Sequence, residues 1–152
     1  MDAYKKLNIM KNHKELIILI VEDDDGHAEL IKDGLLSSGV SNEIIRFKNG
    51  LEVWDFLSGS SQLESGNESY VYLLLLDINM PKMDGIEVLK NIKSNRNLKE
   101  ILIIMLTTTD DPREVEMCYK LGCNMYITKP VQFDKFAETL RRMGLFIQII
   151  KV

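Results

Sequence analysis

The chain has 152 residues, 45% of them hydrophobic and 28% charged, with a formal net charge of −4. That is the length and composition of one soluble domain with a full core, and its acidic balance argues against a nucleic-acid partner, which needs a basic surface. No stretch approaches the roughly 20 consecutive apolar residues of a membrane span, and the first fifteen residues lack the apolar centre of a signal peptide.

Residues 1–15 read as a polar leader. LIILIV, Leu16–Val21, is a continuous apolar run that ends on Glu22 and Asp23. Asp24 or Asp25 can cap the helix that follows, because a short side-chain oxygen accepts from its first free N–H groups. That helix carries Ala28, Ile31 and Leu35 at helical spacing and ends near Gly39. Glu43–Phe47 is shorter and more polar, as a strand at a sheet edge should be. Leu51, Trp54 and Leu57 mark the inner face of a second helix. The serine-rich stretch 58–69, SGSSQLESGNES, is long for a loop in a compact α/β domain; it is either an interaction element or a tolerated solvated insertion.

Val71–Leu76 is a second apolar run, closed abruptly by Asp77 and followed by a Pro and a Gly, the pattern of a strand buried on both faces. Ile86, Leu89 and Ile92 line the next helix. Ile101–Leu106 is a third run, ending at Thr107, Thr108 and Thr109. Asp110, Asp111 and Pro112 start a helix with Val115, Cys118 and Tyr119 inward, since Pro suits a first turn and acids suit the positive helix end. Cys118 and Cys123 are too few for a disulfide framework and lack further Cys or His for a metal site; they read as core filler in a reducing cytoplasm. Met125–Thr128 is the last inner strand, ending at Lys129–Pro130. The final helix carries a stripe of Phe133, Phe136, Ala137, Leu140 and Met143. Strand and helix alternate five times, which predicts a doubly wound parallel sheet covered on both faces, in one domain over 16–144.

Four inner strands therefore finish on polar groups: Glu22 and Asp23, Asp77, Thr107, and Lys129. In a parallel sheet these ends share one edge, where ligands bind. Singly, each has an ordinary explanation as a helix cap, a strand-end hydroxyl or a surface lysine; only the set is specific. Three carboxylates without His or Cys suit a hard cation that takes oxygen ligands, and magnesium fits. A lysine and a hydroxyl opposite it would cradle a phosphoryl group, making Asp77 a candidate nucleophile. Asp24, Asp25, Asp110 and Asp111 read as caps, His27 as an exposed helical residue, and Arg141 and Arg142 as surface charges near a helix end.

VEDD at Val21–Asp24, LLLLDINMPKMDG at Leu73–Gly85, LTTT at Leu106–Thr109 and YITKP at Tyr126–Pro130 resemble the response-regulator receiver domain of two-component signalling, in matching order over about Leu16 to Gly144. The resemblance implies a flavodoxin-like sheet in order 2-1-3-4-5, with Asp77 as phosphoacceptor. It also implies Mg2+ held by Asp23, by Glu22 through water, and by the backbone carbonyl of Asn79. Lys129 and Thr107 would contact the phosphoryl oxygens. Tyr126 would be the rotating aromatic of the switch, and Pro130 the partner in a lysine–proline bond that is often cis. No site position is missing, and Glu in place of the first Asp keeps the charge. The 106–133 wording and the tail GLFIQIIKV further resemble the small single-domain receivers that accept phosphate from phytochrome-type histidine kinases. That implies a cytoplasmic, non-enzymatic switch that signals to an unknown downstream protein by contact. The apolar segment 145–152 either offers a strand-like edge to a partner or folds back on its own domain; the resemblance, to a subgroup that often dimerises, implies a homodimer. Two other readings remain open: a magnesium-dependent phosphatase using Asp77 as nucleophile, for which Asn79 is a poor proton donor, and a phosphorylation-independent docking module.

Overall fold

The computed structural model describes residues 15–59 and 70–150. The leader up to Lys14 and most of the 58–69 loop lie outside the described residues. Ten elements alternate: β1 (Glu15–Val21), α1 (Asp25–Ser37), β2 (Ile44–Phe47), α2 (Gly50–Ser58), β3 (Tyr70–Leu76), α3 (Gly85–Lys93), β4 (Leu102–Thr107), α4 (Pro112–Leu121), β5 (Met125–Thr128) and α5 (Phe133–Gln148). The five strands are parallel, in the order β2-β1-β3-β4-β5, as expected for a flavodoxin-like receiver sheet. From β1 the chain steps outward to β2 and then back across to β3, so the crevice at the carboxyl ends of β1 and β3 is the topological switch point.

The continuous apolar runs have a direct cause. Successive strand residues point to opposite faces, and both faces are covered. Leu16, Ile18, Ile20, Leu73, Leu75, Ile104 and Leu106 pack with Ile31 and Leu35 of α1 and Phe136, Leu140, Met143 and Ile147 of α5. Ile17, Leu19, Val21, Leu74, Leu76, Ile103 and Met105 pack on the other face with Val53, Leu57, Val88, Leu89, Ile92 and Cys118. β2 is a sheet edge with all four residues only half-buried.

Helix starts follow their caps. Asp24 caps α1 by accepting from the backbone N–H of His27 at 2.8 Å. Asp111 caps α4, with Pro112 in its first turn.

The inward faces of the helices differ in detail from the sequence expectation. In α2, Leu51 is exposed, and Val53 and Leu57 point in, because the packing phase is set by Gly50 lying against the 81–84 loop. In α3, Val88 joins Leu89 and Ile92 in the core, while Ile86 is only half-buried. Tyr119 of α4 is 47% exposed: it lies over the outer edge of β5, where its hydroxyl accepts the Tyr126 backbone N–H at 3.0 Å. Phe133 is 67% exposed, and with Leu30, Phe136 and Leu140 it lines a groove of about 410 Å³ between α1 and α5. Over its described residues, 145–150, the C-terminal segment is no strand. α5 continues through Gln148, Ile147 is buried in the core, and the Gln148 amide donates to the Ser38 carbonyl at 2.9 Å. This is the fold-back alternative in helical form, and it leaves Leu145, Phe146 and Ile149 exposed.

Candidate functional site

The expected residues meet at the carboxyl edge of the sheet. Asp77 follows β3 directly; its backbone N–H donates to Val21 O at 3.1 Å, and its Oδ1 accepts from the Ile78 N–H at 2.8 Å. Carboxylate oxygens of Glu22, Asp23 and Asp77 lie within 4.8 Å of one another. Glu22 and Asp77 are buried and Asp23 is exposed. From the far side, Lys129 Nζ donates to Glu22 Oε1 and stands 3.5 Å from Asp77 Oδ2. Thr107 is fully buried at the end of β4, and its carbonyl accepts the Lys129 N–H at 2.7 Å, which ties the ends of β4 and β5 together.

Burial pushes the Glu22 carboxyl up to about 8; the hydrogen-bonded Asp77 adds to this, and Lys129 opposes it. Three acids against one lysine leave an excess of negative charge that a divalent cation would neutralise. Two buried side-chain atoms, Glu22 Oε2 and Thr107 Oγ1, have no hydrogen-bond partner among the described residues. Such groups are costly to leave unpaired. An unpaired carboxylate oxygen within the acid cluster suits a cation, and an unpaired hydroxyl at the end of β4 suits an oxyanion. The donor set, all oxygen, matches a hard divalent ion.

The loop that carries Asp77 is held by its neighbours. Lys82 and Met83 both take positive φ, 50° and 74°, a conformation that non-glycine residues adopt only under constraint. The constraint comes from two sides. The Lys82 carbonyl accepts from Leu51 N–H at 2.9 Å, and the Ile78 carbonyl accepts from Gly85 N–H at 2.8 Å. Gly50 and Gly85 permit this approach: a Cβ would lie 2.0 Å from Met83 O in the first case and 2.0 Å from Asp77 O in the second.

Of the other expected residues, Asn79 is exposed, and its side-chain amide donates to Thr109 Oγ1 at 3.3 Å. Tyr126 is half-buried beside α4. Its hydroxyl, pushed up to about 12 chiefly by burial, donates to Thr109 O at 2.6 Å and so anchors the β4–α4 loop. Pro130 follows Lys129, but every described peptide bond is trans, against the expectation carried by the resemblance. Asp25 is no simple cap: it pairs with Arg46 at 2.8 Å. His27, read from sequence as an exposed helical residue, sits at the rim of the site, with Nδ1 3.2 Å from Glu22 Oε1 and 3.4 Å from Lys129 Nζ. Arg46 was absent from the expectation altogether. Its one signal was a lone cation inside an apolar strand, IIRF.

The response regulator receiver domain model matches residues 18–141. Response regulator Rcp1 of Synechocystis is 39% identical over 113 residues, 74% of this chain and 76% of Rcp1. The manganese-bound form of Rcp1 superposes with a TM-score of 0.78 at 31% identity, over 90% of this chain and 97% of that one. A receiver domain from Rhodospirillum rubrum gives 0.83 at 43% identity, over 90% and 96%. The phosphorylated cyanobacterial phytochrome response regulator RcpA gives 0.77 at 34% identity, over 90% and 95%.

Proposed function

The chain belongs to the response regulator receiver family, and from that premise we propose that it is a phosphorylation-dependent signalling switch in which Asp77 accepts a phosphoryl group from a histidine kinase. One observation carries the reading: the buried Asp77 is clustered with two further acids, Lys129 reaches both Asp77 and Glu22, and the buried Thr107 hydroxyl at the end of β4 has no partner among the described residues. Phosphoryl transfer requires positioning and charge neutralisation more than covalent catalysis, and these groups supply both.

Asp77 Oδ2 attacks the phosphorus of a phosphohistidine; the P–O bond forms as the P–N bond breaks, and the imidazole leaves. Magnesium, when bound by Glu22, Asp23, Asp77 and the Asn79 carbonyl, supplies charge neutralisation of the phosphoryl oxygens. Lys129 exchanges its contact with Glu22 for one phosphoryl oxygen, and the Thr107 hydroxyl turns to donate to another. The added charge then biases a two-state equilibrium. Tyr126, bonded to Thr109 two residues after Thr107, is placed to carry that movement outward. The amide of Asn79 is too weakly acidic to protonate a leaving group, which disfavours a phosphatase.

The kinase is of phytochrome type on the strength of the similarity to the phytochrome response regulator RcpA, and the switch works in the cytoplasm. Among the described residues no helix is long and apolar enough to cross a membrane. A homodimer formed through the exposed Leu145 and Phe146 of α5 and Ile149 just after it is part of the proposal. Ile149→Glu should then give a monomer by light scattering, and an unchanged dimer mass would remove that face from the interface. Incubation with acetyl phosphate and Mg2+ should give a single acid-stable, base-labile phosphoryl adduct that Asp77→Asn abolishes; an adduct that survives this substitution refutes the assignment. Phosphotransfer from phytochrome-type kinases, in light and in dark, tests the partner.

A further inference from the structure

Four consecutive acids, Glu22–Asp25, span the end of β1 and the start of α1. Such a run could present its carboxylates to a cation in more than one way, and the structure divides them. Asp24 is occupied as the cap of α1. Asp25 Oδ1 lies 2.8 Å from Arg46 Nη1. Asp23 has no ion pair among the described residues and belongs to the acid cluster with Glu22 and Asp77.

Arg46 stands in the edge strand β2 and does more than pair with Asp25. Its Nε and Nη2 donate to the backbone carbonyl of Glu22 at 3.0 and 2.8 Å. The N–H of the same residue donates to Phe47 O at 3.1 Å. Both the N–H and the carbonyl of Glu22 are thus held by β2, and the third nitrogen of the same guanidinium holds Asp25. We propose that Arg46 is the positioning residue of the cation site: by locking the Glu22 carbonyl and holding Asp25 aside, it presents Glu22 and Asp23 to the ion.

Two arguments separate this from an ordinary surface ion pair. Asp25 is 80% exposed, and exposed pairs contribute little to stability, so the consequence belongs to the site. A planar fork is also required, since two nitrogens converge on one carbonyl while a third reaches a carboxylate. The point charge of a lysine cannot do this. The inference rests on the metal-assisted reading of Asp77 given above.

The test is Mg2+ binding by calorimetry, well below the unfolding transition of every variant. Arg46→Lys keeps the charge and loses the fork; its affinity should fall about tenfold, the lower end of what outer-shell substitutions do to metal sites. Asp25→Asn, which leaves Arg46 on the Glu22 carbonyl, should stay within about twofold of wild type. Arg46→Lys binding like wild type overturns the inference, as does Asp25→Asn losing affinity as Arg46→Lys does, which would make Asp25 a ligand. Arg46→Gln binding more tightly than wild type, with Arg46→Lys unchanged, assigns Arg46 a purely electrostatic role and also overturns it. Wild type that binds no magnesium defeats the functional reading and this inference together, whereas a normal wild type with an unaffected Arg46→Lys defeats this inference alone.

Discussion

Gly85→Ala is the most direct test of how the Asp77 loop is held. The added Cβ would stand 2.0 Å from Asp77 O and 2.8 Å from both Asp77 C and Ile78 Cα. All three are backbone atoms at the end of a central strand, so no side chain can rotate away to relieve the contact. Carbon and oxygen settle at about 3 Å or more, so the loop must shift by about an ångström. That shift strains or breaks the Gly85 N–H to Ile78 O bond of 2.8 Å. Overpacking of this kind costs about 1–3 kcal/mol, and a buried backbone bond adds about 1 kcal/mol. The gain from replacing a glycine at the start of α3 offsets at most about 1 kcal/mol. The net is a loss of roughly 1–4 kcal/mol, which for a domain of this size lowers Tm by roughly 2–16 °C. Thermal unfolding followed by circular dichroism measures it, with Gly26→Ala in parallel. At Gly26 the nearest neighbour to a new Cβ is Asp24 Oδ1 at 3.2 Å, and little change is expected there. A Gly85→Ala protein melting within about 1 °C of wild type would refute the idea that close backbone approach holds this loop.

Three further outcomes follow from the site and core. Thr107→Val removes a buried hydroxyl that has no partner among the described residues, so stability should be unchanged or higher by about 1 kcal/mol in urea unfolding, while affinity for beryllofluoride falls; a clear loss of stability contradicts this. The Glu22 carboxyl is raised from 4.5 to about 8 in the folded protein. Its contribution to stability is therefore complete below about pH 4.5 and lost as pH rises through about 8. With divalent cations chelated, the stability of Glu22→Gln relative to wild type should rise across that window, and a flat difference would be inconsistent with the shift. Burial pushes the Cys118 thiol up to about 11 and the Cys123 thiol upward as well. Iodoacetamide at pH 8 should then leave both unlabelled in the native protein and label both in urea, since thiolate is the reactive form; rapid native labelling of either overturns the buried-core reading.

Much of the architecture was legible in the linear chain because it depends on local pattern. The runs Leu16–Val21, Val71–Leu76 and Ile101–Leu106 are too short for spans and too continuous for a half-solvated strand. Alternating with helical stripes, they leave a two-sided parallel sheet as the packing solution. The site was legible for the same reason: a parallel sheet brings all its strand ends to one edge. Asp77, Glu22, Asp23, Thr107 and Lys129 therefore meet without any knowledge of side-chain geometry.

Helical phase was less legible. Spacing alone turned Leu51, Tyr119 and Phe133 inward, but the phase of a short helix is set by what it packs against. For α2 that is Met83 O against Gly50, and for Tyr119 it is the free edge of β5. The different environments of Glu22, Asp24 and Asp25 were equally invisible, because Arg46, 24 residues away from Glu22, holds the Glu22 carbonyl and pairs with Asp25, while Asp24 caps α1. His27 entered the site only because α1 sets its ring beside Glu22. Sequence by itself determined that five strands would align and that their polar ends would share an edge, since alternation and burial are properties of neighbouring residues. Tertiary structure alone decided which acid pairs with Arg46, which joins the buried cluster, and which glycines let the Asp77 loop close. Those are matters of an ångström or two between segments that only folding brings together.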